Sequence, residues 1–200
     1  MIAPALLLLA ALAAGDTVVA RVNGTPITAA MVNQVVKGAI AGRPAPPSSE
    51  ELAKLSDAAQ TSLIDLELLF QAAGAQGIRV SEAQIDAEIA RSRARFPTPG
   101  DYDAALKRSG LTPAALRAET RKTLTVEALL ARVVWKHVRV APDAAQRYYD
   151  EHQVALRGKP FATLKPAIEL TLRDAARDQA QAAYAAELRK TAKIELGPIK

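Results

Sequence analysis

The sequence predicts a mainly α fold with a small β element in which an N-terminal hairpin pairs with a C-terminal strand. Three observations carry this. Half of the 200 residues are hydrophobic but only 4% are aromatic, so the core is built from Ala, Leu, Val and Ile, as helical proteins often do. Between about residues 28 and 191, apolar residues recur at helical spacing in runs bounded by capping residues, Pro and Gly. Two β-like stretches, Val18–Val22 and Lys193–Leu196, lie at opposite ends. A strand as short as the second is not stable alone, and the first is its obvious partner. Two hundred residues suffice for one ordinary domain with a sizeable core.

The elements follow in order. Met1 to about Gly15 is almost purely Leu, Ala and Ile. It is short for a membrane span, which takes roughly 20 apolar residues, and it ends in the small residues Ala11, Ala13, Ala14 and Gly15. It reads as a cleaved secretory signal peptide over residues 1–15, although its first residues carry no Lys or Arg. Asn23-Gly24 then predicts a two-residue hairpin turn, because both positions tolerate φ > 0. Thr28 is placed to cap a helix with apolar positions Val32, Val35, Val36, Ala39 and Ile40. After the Pro-rich Gly42–Ser49 loop, Ser49 is expected to cap a helix over Glu50–Gln76 whose stripe is Leu52, Leu55, Ala59, Leu63, Leu66, Phe70 and Ala73. Ser81 and Gln84 form a capping-box pattern opening a helix to about Arg95, with Ile85, Ile89 and Phe96 on one side.

Pro97, Pro99 and Gly100 interrupt the pattern, and a short helix is predicted from Asp101 to Gly110. Thr112-Pro113 starts the next, with Pro at its first position; it runs to about Lys136. Val138–Val140 reads as β-like. Pro142 starts a short helix through Tyr148, Tyr149 and His152, and Gln153–Pro160 is a connector. The final helix spans about Phe161–Thr191, with a stripe of Phe161, Leu164, Ile168, Leu172 and Ala176, an Ala-rich second half, and a favourable i,i+4 pair of Glu169 with Arg173.

Several function classes are excluded or disfavoured. The formal net charge is +5, but Lys and Arg alternate with Asp and Glu along the helices. No dense basic run or basic-aromatic alternation suits nucleic acid, so nucleic acid is not an expected partner. With no Cys there is no disulfide framework, thiolate nucleophile or Cys-based metal site. His137 and His152 stand at helix ends, where the dipole favours a partly charged imidazole, and neither has metal-ligand spacing. Gly158-Lys159 lacks the upstream glycine of a phosphate loop, and no nucleophile elbow is present. Asp65 and Glu67 fall on different helix faces and make no acid–base pair. Tyr148 and Tyr149 read as packing residues. No cofactor or metal is expected.

The order of these features resembles the SurA-type periplasmic chaperones, in the trigger factor and SurA peptide-binding class of folds. VARVNGTPIT resembles that family's opening strand–turn–strand–helix, IRVSEAQIDAEIARSRARF its "V(S/T)xxEIDxxI" helix, and RAETRKTLTVEALLAR the helix leading out of its N-terminal module. VRVAPDAAQRYYDEH resembles the segment that normally leads into a parvulin prolyl-isomerase domain. Phe161–Leu196, ending in AKIEL, resembles the helix and strand that return to the N-terminal module. Only Gln153–Pro160 stands where the parvulin domain would lie, and the His-Ile-Leu strand and Gly-Gly-Asp-Leu-Gly-Trp loop of that domain are absent. The chain is therefore read as a single SurA-like chaperone domain over residues 16–200: an N-terminal module (16–152), the connector (153–160), and a C-terminal helix and strand (161–200).

The resemblance implies an exported, periplasmic, ATP-independent holdase that binds unfolded or nascent envelope proteins, outer-membrane β-barrel precursors among them, in an apolar cradle, with no membrane span left after signal cleavage. Phe70, Phe96, Tyr102, Leu106 and Trp135 are the candidate groove residues, with ordinary core packing the competing reading for each. Three alternatives stay open: a prolyl-isomerase relative with residual activity, an assembly module with one fixed partner, including a homodimer exchanging its terminal segments, and an inner-membrane tether through an uncleaved leader.

Overall fold

Asn23 and Gly24, at φ +49° and +88°, turn the chain between β1 (Val18–Val22) and β2 (Thr25–Thr28), an antiparallel hairpin. The computed structural model describes residues 17–156 and 158–199; the expected signal peptide lies outside the described residues. Thr28 ends the hairpin and starts α1 (Ala29–Ile40), its side chain accepting from Met31 N at 3.3 Å. Only Val32 and Val36 of the expected stripe are buried, and Val35 is 40% exposed. After the Pro-rich loop comes α2 (Ser49–Ala75). Its cap is Ser48 rather than Ser49: Ser48 Oγ accepts from Glu51 N at 3.2 Å and Glu51 Oε2 from Ser48 N at 2.9 Å. The Ser48 N–H, and after it the Ser48 hydroxyl, draw the Glu51 carboxyl below its ordinary pKa. The buried face of α2 is also rotated from the expected one. Ile64, Leu68 and Leu69 are buried beside Ala59 and Ala73, Leu63, Leu66 and Phe70 are half-buried, and Leu52 is exposed.

Ser81 and Gln84 form the expected capping box of α3 (Glu82–Arg93), which buries Ile85 completely. The next helix starts earlier than predicted. Thr98 caps α4 (Pro99–Ser109) in a second capping box with Asp101, so Pro99 is a first-turn residue, tolerated because its missing N–H has no intrahelical partner there. Gly110, at φ +72°, closes α4 in the left-handed region. Thr112 then caps α5 (Pro113–Leu129). Beyond Leu129 the expected α-helix gives way to a π turn over Leu130–Val134 and a 3₁₀ turn over Trp135–His137. Val138–Val140 is irregular, not strand.

The chain continues through α6 (Ala144–Glu151) and α7 (Phe161–Arg189) to β3 (Ile194–Ile199). Residues 152–160 alone join α6 to α7. β3 pairs antiparallel with β1, giving the order β2-β1-β3. The partnership expected between the two ends is thus formed, and β3 runs further than the predicted strand. Asn23 secures it: its N–H donates to Lys193 O and its Oδ1 accepts from Lys193 N, both at 2.8 Å.

Two compact units result, one up to Glu67 together with the chain from Ala192 on, the other Leu68–Thr191. In the first, Val18, Ala20 and Val22 face one side of β1 and are buried, as are Ile27, Val32 and Val36. In the second, α3 packs on α5, and α7 packs on α6 and on the π and 3₁₀ turns. There Arg117 bridges Glu82 (2.7 Å) and Asp86 (2.6 Å), and Arg121 meets Glu82 at 2.5 Å. Hydrogen bonds from Arg121 and Arg117 hold the Glu82 carboxyl below its usual pKa, while Asp86 and Glu82 raise that of Arg117. Among the described residues no helix is long and apolar enough to cross a membrane.

Candidate functional site

The site begins where α5 stops being an α-helix. A π turn carries an extra residue per turn and re-aims the side chains that follow. Here it ends at Val134, whose backbone (φ −105°, ψ −60°) leaves regular helix before the 3₁₀ turn. On the facing helix, Ala176, Ala180, Ala183 and Tyr184 recur at i, i+4, i+7 and i+8, on one face of α7. Alanines there leave space instead of filling it. The result is a groove of about 650 Å³ lined by Val133, Val134 and Val138 on one side and by those alanines and Tyr184 on the other, with His137, Arg139, Gln179 and Glu187 also contributing. A second cavity of about 210 Å³ shares Val138 and Arg139 with the groove and adds Trp135, Val140, Arg173 and Arg177.

Two other cavities differ in character. One of about 480 Å³ lies between α3 and α5, lined largely by polar residues including Glu88, Arg91, Glu119 and Glu127. One of about 230 Å³, in the first unit, is lined by Arg43, Glu51, Lys54 and Leu55. No group of three His, Asp or Glu able to hold a metal occurs among the described residues.

The five residues proposed from sequence fall in different places. Trp135 lines the smaller cavity; the Arg177 guanidinium lies 5.2 Å from its ring centroid, and its indole Nε1 is buried with no hydrogen-bond partner. Phe96 and Tyr102 meet edge-to-face at 5.5 Å, with Arg93 lying 5.6 Å from the Tyr102 ring centroid. Phe70 is half-buried on α2 beneath Lys122, 5.5 Å from its ring, and Leu106 is half-buried on α4. Phe70, Phe96, Tyr102 and Leu106 line none of these four cavities. The apolar part of the groove lining is valine and alanine apart from Tyr184, and the Ala-rich half of α7 was its one signal in the sequence. Tyr149 donates to Lys159 O at 2.8 Å and lies 5.4 Å from the Phe161 ring. Tyr148 stacks on His152 at 4.1 Å, and His152 Nδ1 is 2.8 Å from Tyr148 O. The expected Glu169–Arg173 pair is not made: Glu169 pairs instead with Lys165, at 3.8 Å.

The foldase protein PrsA of Clostridium acetobutylicum is 27% identical over 113 residues, covering 54% of this chain and 34% of PrsA. The chaperone SurA of Chromobacterium violaceum is 29% identical over 147 residues, covering 71% of this chain and 34% of SurA. The chain thus spans about a third of the length of these curated relatives. A solved structure described with the virulence factor PEB4 and the periplasmic protein Cj1289, two structurally related SurA-like chaperones of Campylobacter jejuni, superposes with a TM-score of 0.56 at 13% identity. It covers 90% of this chain and 98% of that one, a likeness of fold. No parvulin domain is present in the 200 residues. The family model described as the SurA-like N-terminal domain matches residues 8–130, more than half of the chain, and the protein belongs to that family.

Proposed function

We propose that the protein is an exported, ATP-independent holdase chaperone that binds extended apolar segments of unfolded envelope proteins, precursors of outer-membrane β-barrels among them. The single observation carrying this reading is the groove of about 650 Å³ between the turn after α5 and the Ala-rich face of α7. Its aliphatic lining discriminates little between apolar side chains, as a binder of many clients requires, and its polar margin suits a peptide backbone. Affinity is modest, because an unfolded segment loses conformational entropy when it is held. Membership of the SurA-like family, and the printed name of a relative as a chaperone, support the same reading. The apolar leader over residues 1–15 supports export in this reading, with the mature protein working in the periplasm.

In this reading residues 16–200 act as one chaperone domain, with 153–160 standing where the resemblance would put a parvulin domain. No prolyl-isomerase activity is assigned to the chain, since the matched region is the N-terminal domain alone. The test is dilution of a urea-unfolded outer-membrane protein into buffer without ATP, with light scattering followed in the presence and absence of this protein. Suppression of aggregation at near-stoichiometric amounts is expected. Unchanged scattering across several clients, with the chaperone shown to be folded by circular dichroism, overturns the reading and favours a module with one fixed partner.

A further inference from the structure

We infer that the small cavity beside the groove is a carboxylate subsite. It selects client segments that carry an acidic group next to an apolar run, an inference resting on the client-groove reading above. The cavity is continuous in its lining with the groove through Val138 and Arg139, so one extended peptide reaches both. Three of its six lining residues are arginines: Arg139 after the 3₁₀ turn, and Arg173 and Arg177 one turn apart on α7.

Their charge is poorly compensated from within the protein. Arg173 makes no ion pair among the described residues, since Glu169 pairs with Lys165. The described carboxylate nearest Arg177 is that of Asp174, at 4.0 Å. Arg139 Nη1 donates to Lys136 O (2.7 Å) and Val138 O (2.9 Å), which positions the guanidinium without neutralising it. Elsewhere in the same unit Arg117 and Arg121 hold carboxylates at 2.5–2.7 Å. Like charges one helical turn apart repel, so Arg173 and Arg177 together favour an anion from outside. Trp135 lines the same cavity, and among the described residues its indole Nε1 is the buried side-chain polar atom left without a partner. Buried donors are ordinarily satisfied.

A carboxylate matches this set, because a guanidinium presents paired donors in the geometry of its two oxygens. About 210 Å³ admits an acidic side chain or the end of a chain. Both sources offer the same group, and the experiment separates them.

Trp135 is the chain's one tryptophan, so its fluorescence reports on this cavity directly. The full chain is titrated with three synthetic peptides sharing one apolar run: one ending in Glu with an amidated C-terminus, one ending in Gln with an amidated C-terminus, and one ending in Gln with a free C-terminus. The peptides carrying a carboxylate are expected to bind about three- to tenfold more tightly than the neutral one. That advantage is expected to vanish in Arg173→Gln and to shrink in high salt, where exposed charges are screened. Gain by the Glu peptide alone assigns the site to acidic side chains; gain by the free-acid peptide alone assigns it to chain ends. Arg173 is exposed, so the variant folds, and the salt series tests the same point without any substitution. Equal binding of all three peptides, or a preference that persists in Arg173→Gln, overturns the subsite while leaving the groove intact. Failure of every peptide to bind overturns the groove reading and the subsite together.

Discussion

β1 and the π turn are nearly the same five residues in different order, VVARV and LARVV. In β1 the chain alternates, so Val18, Ala20 and Val22 are buried while Val19 and Arg21 are half-buried, and both edges of the strand are hydrogen-bonded. In the π turn only Leu130 is fully buried; Val133 and Val134 are half-buried and line an open groove. The same aliphatic material therefore serves closure in one unit and access in the other. Backbone pairing and what faces the segment make the difference: two strands around β1, a row of alanines on α7 opposite the turn.

This contrast is open to direct attack. The largest effect is expected in the sheet. Ile27 is 1% exposed, and Ile27→Ala removes buried methylenes from a site that cannot collapse freely, lowering stability by about 2–5 kcal/mol in urea unfolding. A loss below about 1 kcal/mol would show that the sheet is as loosely packed as the groove. Next comes Ala183→Glu, on the exposed margin of the groove. It is expected to weaken peptide binding at least about tenfold while moving stability by no more than about 0.5 kcal/mol. A stability loss comparable to that of Ile27→Ala would make the α7 face core and erase the distinction.

The smallest effect sharpens the electrostatics of the second unit. The Arg121 and Arg117 hydrogen bonds lower the Glu82 pKa. A depressed carboxylate contributes stability above its unfolded-state value, about 4.3, and loses it as pH falls through the lower folded-state value. Glu82→Gln is therefore expected to be slightly less stable than the parent at neutral pH. The gap should narrow as pH falls below the unfolded-state value and close beneath the lower folded-state one. A gap that is constant with pH would mean the pair contributes through packing instead of charge.

In both units the elements that were legible are those whose signals are local. Asn23-Gly24 carries its own turn geometry, and Thr28, the Ser81–Gln84 box, Thr112-Pro113 and Gly110 act within four residues of themselves. Legibility failed where several registers were equally good. Residues 63–69, LIDLELL, offer apolar side chains on more than one helical face, so packing chose Ile64 and Leu68 over Leu63 and Leu66. Ser48 and Ser49 compete for one cap, and Thr98 claims a helix start that Pro97, Pro99 and Gly100 disguise. The π turn has no local signature, since its residues suit an α-helix equally well, and the apolar walls of the groove it opens are mostly valine and alanine. Of the large apolar residues expected in the groove, Trp135 alone comes near, at the neighbouring cavity.

The central place of β1, between a strand next to it in sequence and one about 170 residues away, sets an order of events in folding. The hairpin closes within microseconds of its synthesis, but the other edge of β1 stays unpaired until β3 is made. High sequence separation slows such pairing, so the helices between the strands have time to assemble first. For that interval the newborn chain displays an unsatisfied strand edge of the kind that recruits foreign strands. A protein read here as a guardian of unfolded chains is thus, at the start of its own life, open to the same mispairing from which it is proposed to protect others.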